Sequence, residues 1–391
     1  MSAKLRNALR AVFVLVLVTV AGWGIAKVID PRVTTADVAA MREEAARSAG
    51  REFLDEYAES DGRVVRRDEG GDVVSEGQAY GMLIAAAVGD QTRFRSIWGW
   101  TKDHLRRPDG LLSWRWADDQ VIDANSAADA DLDAARALVL AGSRFNAPEL
   151  TEDGKRLGAV ILQTESMAVG TSVAPTADVV PASSGLAGTG QVLVAGNWAT
   201  TPPYLVNAGY FSPRADEQLA RVSADRRWLD LSRSQRVLSW QLVGTSSLPP
   251  DWATVDAAGT AVPVGPPGGG PVQFGLDAAR LPVRFAESCD PADRAVAAAM
   301  RPILAAPGDV PALRNLDGSA ASDWQHPVAV VATAATEQAA GDSDGAASRL
   351  DAATALQERY PTYYGAAWVA LGRIMLSTSL LGGCPPRPDR S

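Results

Sequence analysis

The sequence predicts an all-α fold, helix packed on helix in pairs, with a small β-hairpin or long loop inserted near the middle. Three observations carry that prediction. About twelve segments space their apolar residues three and four apart, which aligns one face of a helix. No fixed repeat period links them, so a closed barrel of helix pairs fits at least as well as an open solenoid. No Pro/Ser-rich linker or change of composition divides the chain from Ala36 onward, so residues 31–391 are read as a single helical domain after a short linker at Pro31.

Taken in order, the first thirty residues stand apart. Lys4, Arg6 and Arg10 precede an apolar run from Ala11 to Ala26, the order of an export signal. Sixteen residues exceed a typical cleaved core and fall slightly short of a span, and no clean A-x-A site follows. Residues 1–30 are therefore read as a signal peptide or an uncleaved membrane anchor with a cytoplasmic N-terminus. Helices are then expected over Thr35–Glu59, Ser75–Val88, Thr92–Arg106, Ala127–Phe145 and Glu149–Ser166. Met167–Gly196 turns to Val, Thr, Ser and Gly with alternation, the pattern of the hairpin or loop. Helical spacing resumes over Pro213–Val222, Asp225–Leu242, Asp277–Glu287, Pro291–Leu304, Trp324–Gln338, Asp342–Tyr360 and Tyr363–Leu380. The Gly/Pro-rich stretch Thr254–Gly275 is either a solvated connection or the border of a site.

With 46 acidic against 37 basic residues, the net charge of −9 repels polyanions and argues against nucleic acid or anionic membrane surfaces as partners. Eleven Trp residues point elsewhere. Flat amphipathic rings fill cores or offer stacking surfaces, and sugars stack on them. Cys289 and Cys384, the two cysteines, suit one disulfide tying the tail to the body of an exported chain, or two buried thiols.

Several chemistries are poorly supplied. Two histidines, His104 and His326, do not equip a His-based triad or a zinc cluster. "GLAGTG" and "GPPGGG" lack the Lys-Ser/Thr of a phosphate loop. Asp129, Asp131 and Asp133 imitate the start of a calcium loop, but Ala134 and Leu140 occupy its sixth and twelfth positions. No cofactor or metal is expected. What is left is chemistry done by two carboxyls, one held protonated and one ionised.

Glu76 heads the segment "SEGQAYGMLIAAA". With Ser75 as an N-cap it would complement the helix dipole; among Gly77, Ala79 and Tyr80 it would also be desolvated, which raises a carboxyl towards the range of a general acid. Asp129 and Asp133 share a helix face at i and i+4 while Asp131 lies opposite, so one of the two sets at most looks into a cleft. Upstream, Trp114 and Trp116 are two apart, which in an extended segment puts both rings on one side; core packing is the alternative. Asp277 opens a helix ahead of Arg280 and Arg284, and an Asp beside Arg is either a base held ionised or half of a structural ion pair.

Six stretches in order, "SEGQAYGMLIAA", "DGLLSWRW", "NSAADADLDAARALVLAG", "NAGYFSP", "LPPDW" and "DAARLPVR", together resemble glycoside hydrolase family 8, and the likeness covers most of Ala36–Leu381. The resemblance implies an (α/α)6 barrel with an acidic cleft across one end and inverting hydrolysis of β-1,4-linked glycans. By it, Glu76 is the proton donor, Asp277 the base that activates water, and Asp129 the residue that holds and distorts the sugar at the cut. It makes Arg280 the group that fixes Asp277, Trp114 a stacking platform and Tyr210 a contact near the cut, with Tyr80, Asn207 and Tyr364 also at the substrate. Tyr360, Tyr363 and Tyr364 all compete for the place of the family's C-terminal tyrosines. Room for a water sets the two catalytic carboxyls about 6.5–9.5 Å apart. Two departures stand out: Asn207-Ala208-Gly209-Tyr210 replaces the usual Asn-Pro-Ser-Tyr, and Leu276 replaces an aromatic.

The expectation is thus a monomeric endo-β-1,4-glucanase, secreted or anchored to the outer face of the cytoplasmic membrane through residues 11–26, with a β-glucan as its partner. Keeping Asp277 resembles the cellulase and xylanase branches more than the chitosanases that place the base elsewhere. The visible chain carries no added binding module, which inclines the expectation towards trimming a polymer the cell exports. A hydrolase of xylan, chitosan or mixed-linkage glucan, and a glycan-binding protein without turnover, are the rivals, and a helical scaffold for protein partners is a third.

Overall fold

A computed structural model describes residues 34–170, 189–244 and 247–384. The chain forms two compact units, Met1–Arg42 and Glu43–Ser391. Of the first, residues 34–42 are described and open helix α1 (Thr35–Tyr57). There Thr34 Oγ1 accepts from the Asp37 N–H and Asp37 accepts from the Thr34 N–H, a reciprocal cap on donors that the helix leaves free. The export segment Ala11–Ala26 lies outside the described residues. Among the described residues no helix is long and apolar enough to cross a membrane.

The second unit is an (α/α)6 barrel. Its inner helices are α2 (Ser75–Val88), α4 (Ala128–Arg144), α6 (Pro213–Ser223), α8 (Arg280–Ala286), α11 (Pro327–Ala339) and α13 (Tyr363–Ser377). Each touches the next in that order, and α13 packs back on α2 to close the ring. Only a helix enclosed on every side can be small and apolar all round, and "PVAVVATAATEQA" of α11 is buried over eleven consecutive residues. The outer helices are α1, α3 (Gln91–His104), α5 (Pro148–Thr164), α7 (Arg227–Val243), α9 (Pro291–Ala299) and α12 (Ser343–Arg359). These bury one stripe each; in α5 it is Leu150, Leu157, Ile161 and Leu162. Outer helices return the chain, so all six inner N-termini gather at one end.

Boundaries moved where caps and prolines decide them. The segment Pro291–Leu304 is two helices, because Pro302 lacks the N–H that would continue α9 and instead sits in the first turn of α10 (Arg301–Leu304). Trp324 does not begin α11: His326 Nδ1 accepts from the Val328 N–H as the cap, and Pro327 takes the first helical position. Asp277 likewise precedes α8 on a turn. Val74, not Ser75, holds the cap position of α2.

The β structure exceeds the one hairpin expected. That hairpin exists, β4 (Ser166–Gly170) against β5 (Thr189–Leu193). Two three-stranded antiparallel sheets accompany it, β1 (Val73–Val74), β2 (Arg115–Ala117) and β3 (Gln120–Asp123), and β6 (Tyr204–Asn207), β7 (Trp252–Val255) and β8 (Ala261–Val264). Both lie in connections that lead towards inner N-termini, so they furnish that end with walls. Their strands run two to four residues, too short for alternation to register in a sequence. Cys289 and Cys384 form a disulfide that closes a loop of 95 residues.

Candidate active site

The end where the inner helices begin carries a cavity of about 590 Å³ lined by Glu76, Trp114, Trp198, Tyr210, Trp252 and Asp277 among others. The two carboxylates reach it from opposite halves of the chain, Glu76 in the first turn of α2 and Asp277 on the turn before α8.

Glu76 accepts from the Trp114 indole N–H at 3.3 Å. Burial pushes its carboxyl up to about 8, and the charge of Asp129 adds to that. Asp277 sits differently. Its Oδ1 accepts from Arg280 Nη2 at 2.9 Å and its Oδ2 from Asn207 Nδ2 at 2.9 Å, while over a third of its side chain stays exposed to the cavity. The cavity therefore holds one desolvated carboxyl and one that is hydrogen-bonded and open to water.

Arg280 organises the floor. Its Nη1 donates to Asp129 Oδ2 at 2.6 Å and to Tyr80 Oη at 3.0 Å, and its guanidinium lies 5.0 Å from the centre of the Tyr210 ring. One turn further, Arg284 grips Asp133 with two nitrogens at 2.8 and 2.6 Å, and Arg136 Nη1 meets Glu287 Oε2 at 2.9 Å. The i, i+4 spacing of Asp129 and Asp133 on α4 matches that of Arg280 and Arg284 on α8, giving two ionic rungs across the barrel, and Arg136–Glu287 adds a third. Asp131, on the other face of α4, accepts from the Leu112 N–H at 2.9 Å and is buried with Glu165.

Of the residues expected at the substrate, Trp114 and Tyr210 line the cavity with the two carboxylates. Asp129, Arg280, Tyr80 and Asn207 do not; each is 2% exposed or less and lies behind the wall. Tyr80 packs edge-on against Trp368 and receives Arg280, and Asn207 is committed to Asp277, so their reach to a ligand is through neighbours. Among the C-terminal tyrosines, Tyr363 is buried against Phe53 and Tyr57, and Tyr360 faces solvent elsewhere. Tyr364, half-buried, donates to the Leu276 carbonyl beside Asp277 at 3.3 Å. Trp114 and Trp116 part company: the ladder shifts register between Arg115 and Trp116, and Trp116 is buried against Trp100 and His104.

Three residues of the site escaped the sequence reading. Trp198 is 42% exposed at the cavity, its indole N–H on the Ser126 carbonyl, and Trp252 lines it beside Tyr210. Asp251 is the third. Its Oδ1 accepts from the N–H groups of Gly275 and Ala278 at 3.0 and 2.8 Å, so it ties both sides of the turn that carries Asp277. Burial pushes Asp251 up to about 7, with the Asp277 charge contributing. "LPPDW" contains two of the three, and its Trp-next-to-Asp pattern was the available signal.

Gly209, one of the departures, and Gly275 stand at close approaches. A Cβ at Gly209 would stand 2.0 Å from the Asp277 carbonyl oxygen, and one at Gly275 would stand 2.2 Å from Asp251 Oδ2. The backbone approach at Gly209 admits no side chain, and a side chain at Gly275 would displace the Asp251 carboxylate from the base-bearing turn. The Gly/Pro stretch after Thr254 borders the site, since Pro267 and Gly268 line the cavity.

The family model for glycosyl hydrolases family 8 matches residues 26–344. The "Probable endoglucanase" of Novacetimonas hansenii is 33% identical over 238 residues, 60% of this chain and 64% of that protein. The chain thus matches just under two thirds of that relative's length. The solved endo-β-1,4-glucanase CMCax of Acetobacter xylinum superposes with a TM-score of 0.69 at 29% identity, over 85% of this chain and 98% of that one. A β-1,3-1,4-glucanase of Paenibacillus sp. X4 shares the fold with a TM-score of 0.72 at 18% identity, over 87% and 92% of the two chains. With the six ordered motifs and the closed barrel, the match over most of its length shows that the chain belongs to glycosyl hydrolases family 8.

Proposed function

We propose that the protein is an inverting endo-acting hydrolase of β-1,4-linked glucan. The observation that carries this reading is Glu76 and Asp277, in unlike surroundings, lining one Trp-rich cavity. A water attacks the anomeric carbon as the glycosidic C–O bond breaks; Asp277 takes the water's proton, and Glu76 gives its own to the leaving oxygen. Arg280 and Asn207 orient Asp277, Asp251 shapes its turn, and Trp114 orients Glu76 while presenting a ring for stacking. Asp129, behind the wall, holds Arg280 and through it Asp277, and its charge keeps Glu76 protonated. Similarity to the probable endoglucanase of Novacetimonas hansenii and the endo-β-1,4-glucanase of Acetobacter xylinum favours glucan as the substrate.

The test is a panel of carboxymethylcellulose, xylan and chitosan offered to wild type, Glu76→Gln and Asp277→Asn, with the product anomer followed by NMR. Glucan is cut with inversion, and each variant loses on the order of 10³-fold in kcat. Preference for xylan or chitosan assigns another β-1,4-glycan. Binding without cleavage by wild type and variants alike leaves a glycan-binding protein. The basic-then-apolar start supports export as part of this reading, and fractionation of cells expressing the full chain checks it.

A further inference from the structure

A second groove, of about 790 Å³, lies outside the acid-bearing cavity and shares no lining residue with it. Trp324 and Tyr360 both line it, 43% and 61% exposed. They stand on the connections that lead into α11 and α13, hence at the same end of the barrel as Glu76 and Asp277. Trp324 is held in place: its carbonyl accepts from the Ala312 N–H at 2.8 Å and from Ser322 Oγ at 3.1 Å. From it a row of rings runs back to the site, Trp324 to His326 at 6.2 Å and His326 to Tyr364 at 5.8 Å, where the Tyr364 hydroxyl meets the residue before Asp277.

Apart from Ser322, the polar lining of this groove is uncommitted. The side chains of Asp309, Asp323, Gln325 and Arg359 make no hydrogen bond or ion pair among the described residues. Arg359, Asp309, Asp323 and Gln325 are all exposed, so charges of both signs and an amide stand free along the groove. Exposed rings flanked by free donors and acceptors of both signs suit a ligand with flat C–H faces and hydroxyls around its edge. A pyranose has that form, and a β-1,4 chain repeats it.

We propose that the Trp324–Tyr360 groove is a second glycan-binding site, which takes a short run of glucosyl units from the polymer whose cleavage is assigned to the neighbouring cavity. It rests on that assignment for the identity of the glycan. Rings at the groove hold a long chain near the cut, whereas a short oligosaccharide bound in the cavity uses a lining that does not include Trp324.

The test compares wild type, Trp324→Ala, Tyr360→Ala and Trp324→Tyr as full chains. On soluble β-1,4-glucan polymer, Trp324→Ala raises KM about tenfold, the scale of one lost stacking contact. On cellotetraose its kcat/KM is unchanged, and Trp324→Tyr restores the polymer value. In a Glu76→Gln background, which leaves the polymer uncut, Trp324→Ala and Tyr360→Ala migrate faster than the parent through gels containing that polymer. Equal polymer KM and equal migration for all variants overturn the groove while leaving the hydrolase intact. A wild type that cuts no glucan, yet whose retardation still depends on Trp324, overturns the hydrolase and keeps the groove.

Discussion

Asp129 and Arg280 meet at 2.6 Å across the barrel, from helices α4 and α8 that are not neighbours in the ring. The pair does two jobs at once. It leaves Arg280 Nη2 for Asp277, and it sets a negative charge near Glu76 that favours the protonated acid. General-acid catalysis is lost as pH rises through the value of Glu76, about 8, which sets the alkaline limb. Replacing Asp129 by Asn removes the charge, releases the Glu76 proton more easily and moves the alkaline limb of kcat/KM to lower pH. A pH–rate profile with an unmoved limb contradicts the coupling.

Asp251 acts on Asp277 through backbone. With Asp251→Ala the N–H groups of Gly275 and Ala278 lose their acceptor and the turn between them loosens. Misplacing a base by about 1 Å costs on the order of 10²-fold, so kcat falls by about that much while KM changes little. Asp251→Asn keeps an acceptor oxygen and retains most of the activity. Steady-state kinetics on the two variants, with circular dichroism to verify folding, decides the matter.

The Arg284–Asp133 rung has no exposure to speak of, each side chain being 1% exposed. Asp133→Ala strands a buried guanidinium and lowers the unfolding free energy by about 3–5 kcal/mol. Urea unfolding measures it. A loss under about 1 kcal/mol would mean that water reaches Arg284.

Glu165 accepts from Ser126 Oγ at 2.5 Å behind the wall that carries Trp198, and burial pushes it up to about 8 from an ordinary 4.5. Asp131, Asp129 and Asp109 oppose its ionisation and Arg107 favours it. The folded protein keeps a proton there that the unfolded chain releases. Its stabilisation is whole below about pH 4.5 and is lost as pH rises through about 8. Melting temperature should fall over that window, and Glu165→Gln should flatten the fall. Parallel curves for the two proteins would place the proton elsewhere.

Sequence alone determined the all-α class and the approximate number and place of the helices, while the settings of Glu76 and Asp277 stayed open between a catalytic and a structural reading. Apolar spacing is a local property, and Asp129 and Asp133 are legible on one helix face at i and i+4, but nothing local pairs them with Arg280 and Arg284. The export of the chain and the roles of its residues rested on composition and resemblance. Tertiary structure decided which acids meet. Residues 76 and 277 are 201 positions apart in the chain, and only ring closure, with every inner N-terminus at one end, brings them to one cavity. The short sheets, the hidden position of Asp129 and Asn207, and the part played by Asp251 follow from contacts between distant segments. No local pattern encodes such contacts, because burial and hydrogen-bond partners are set by whatever the rest of the chain places alongside.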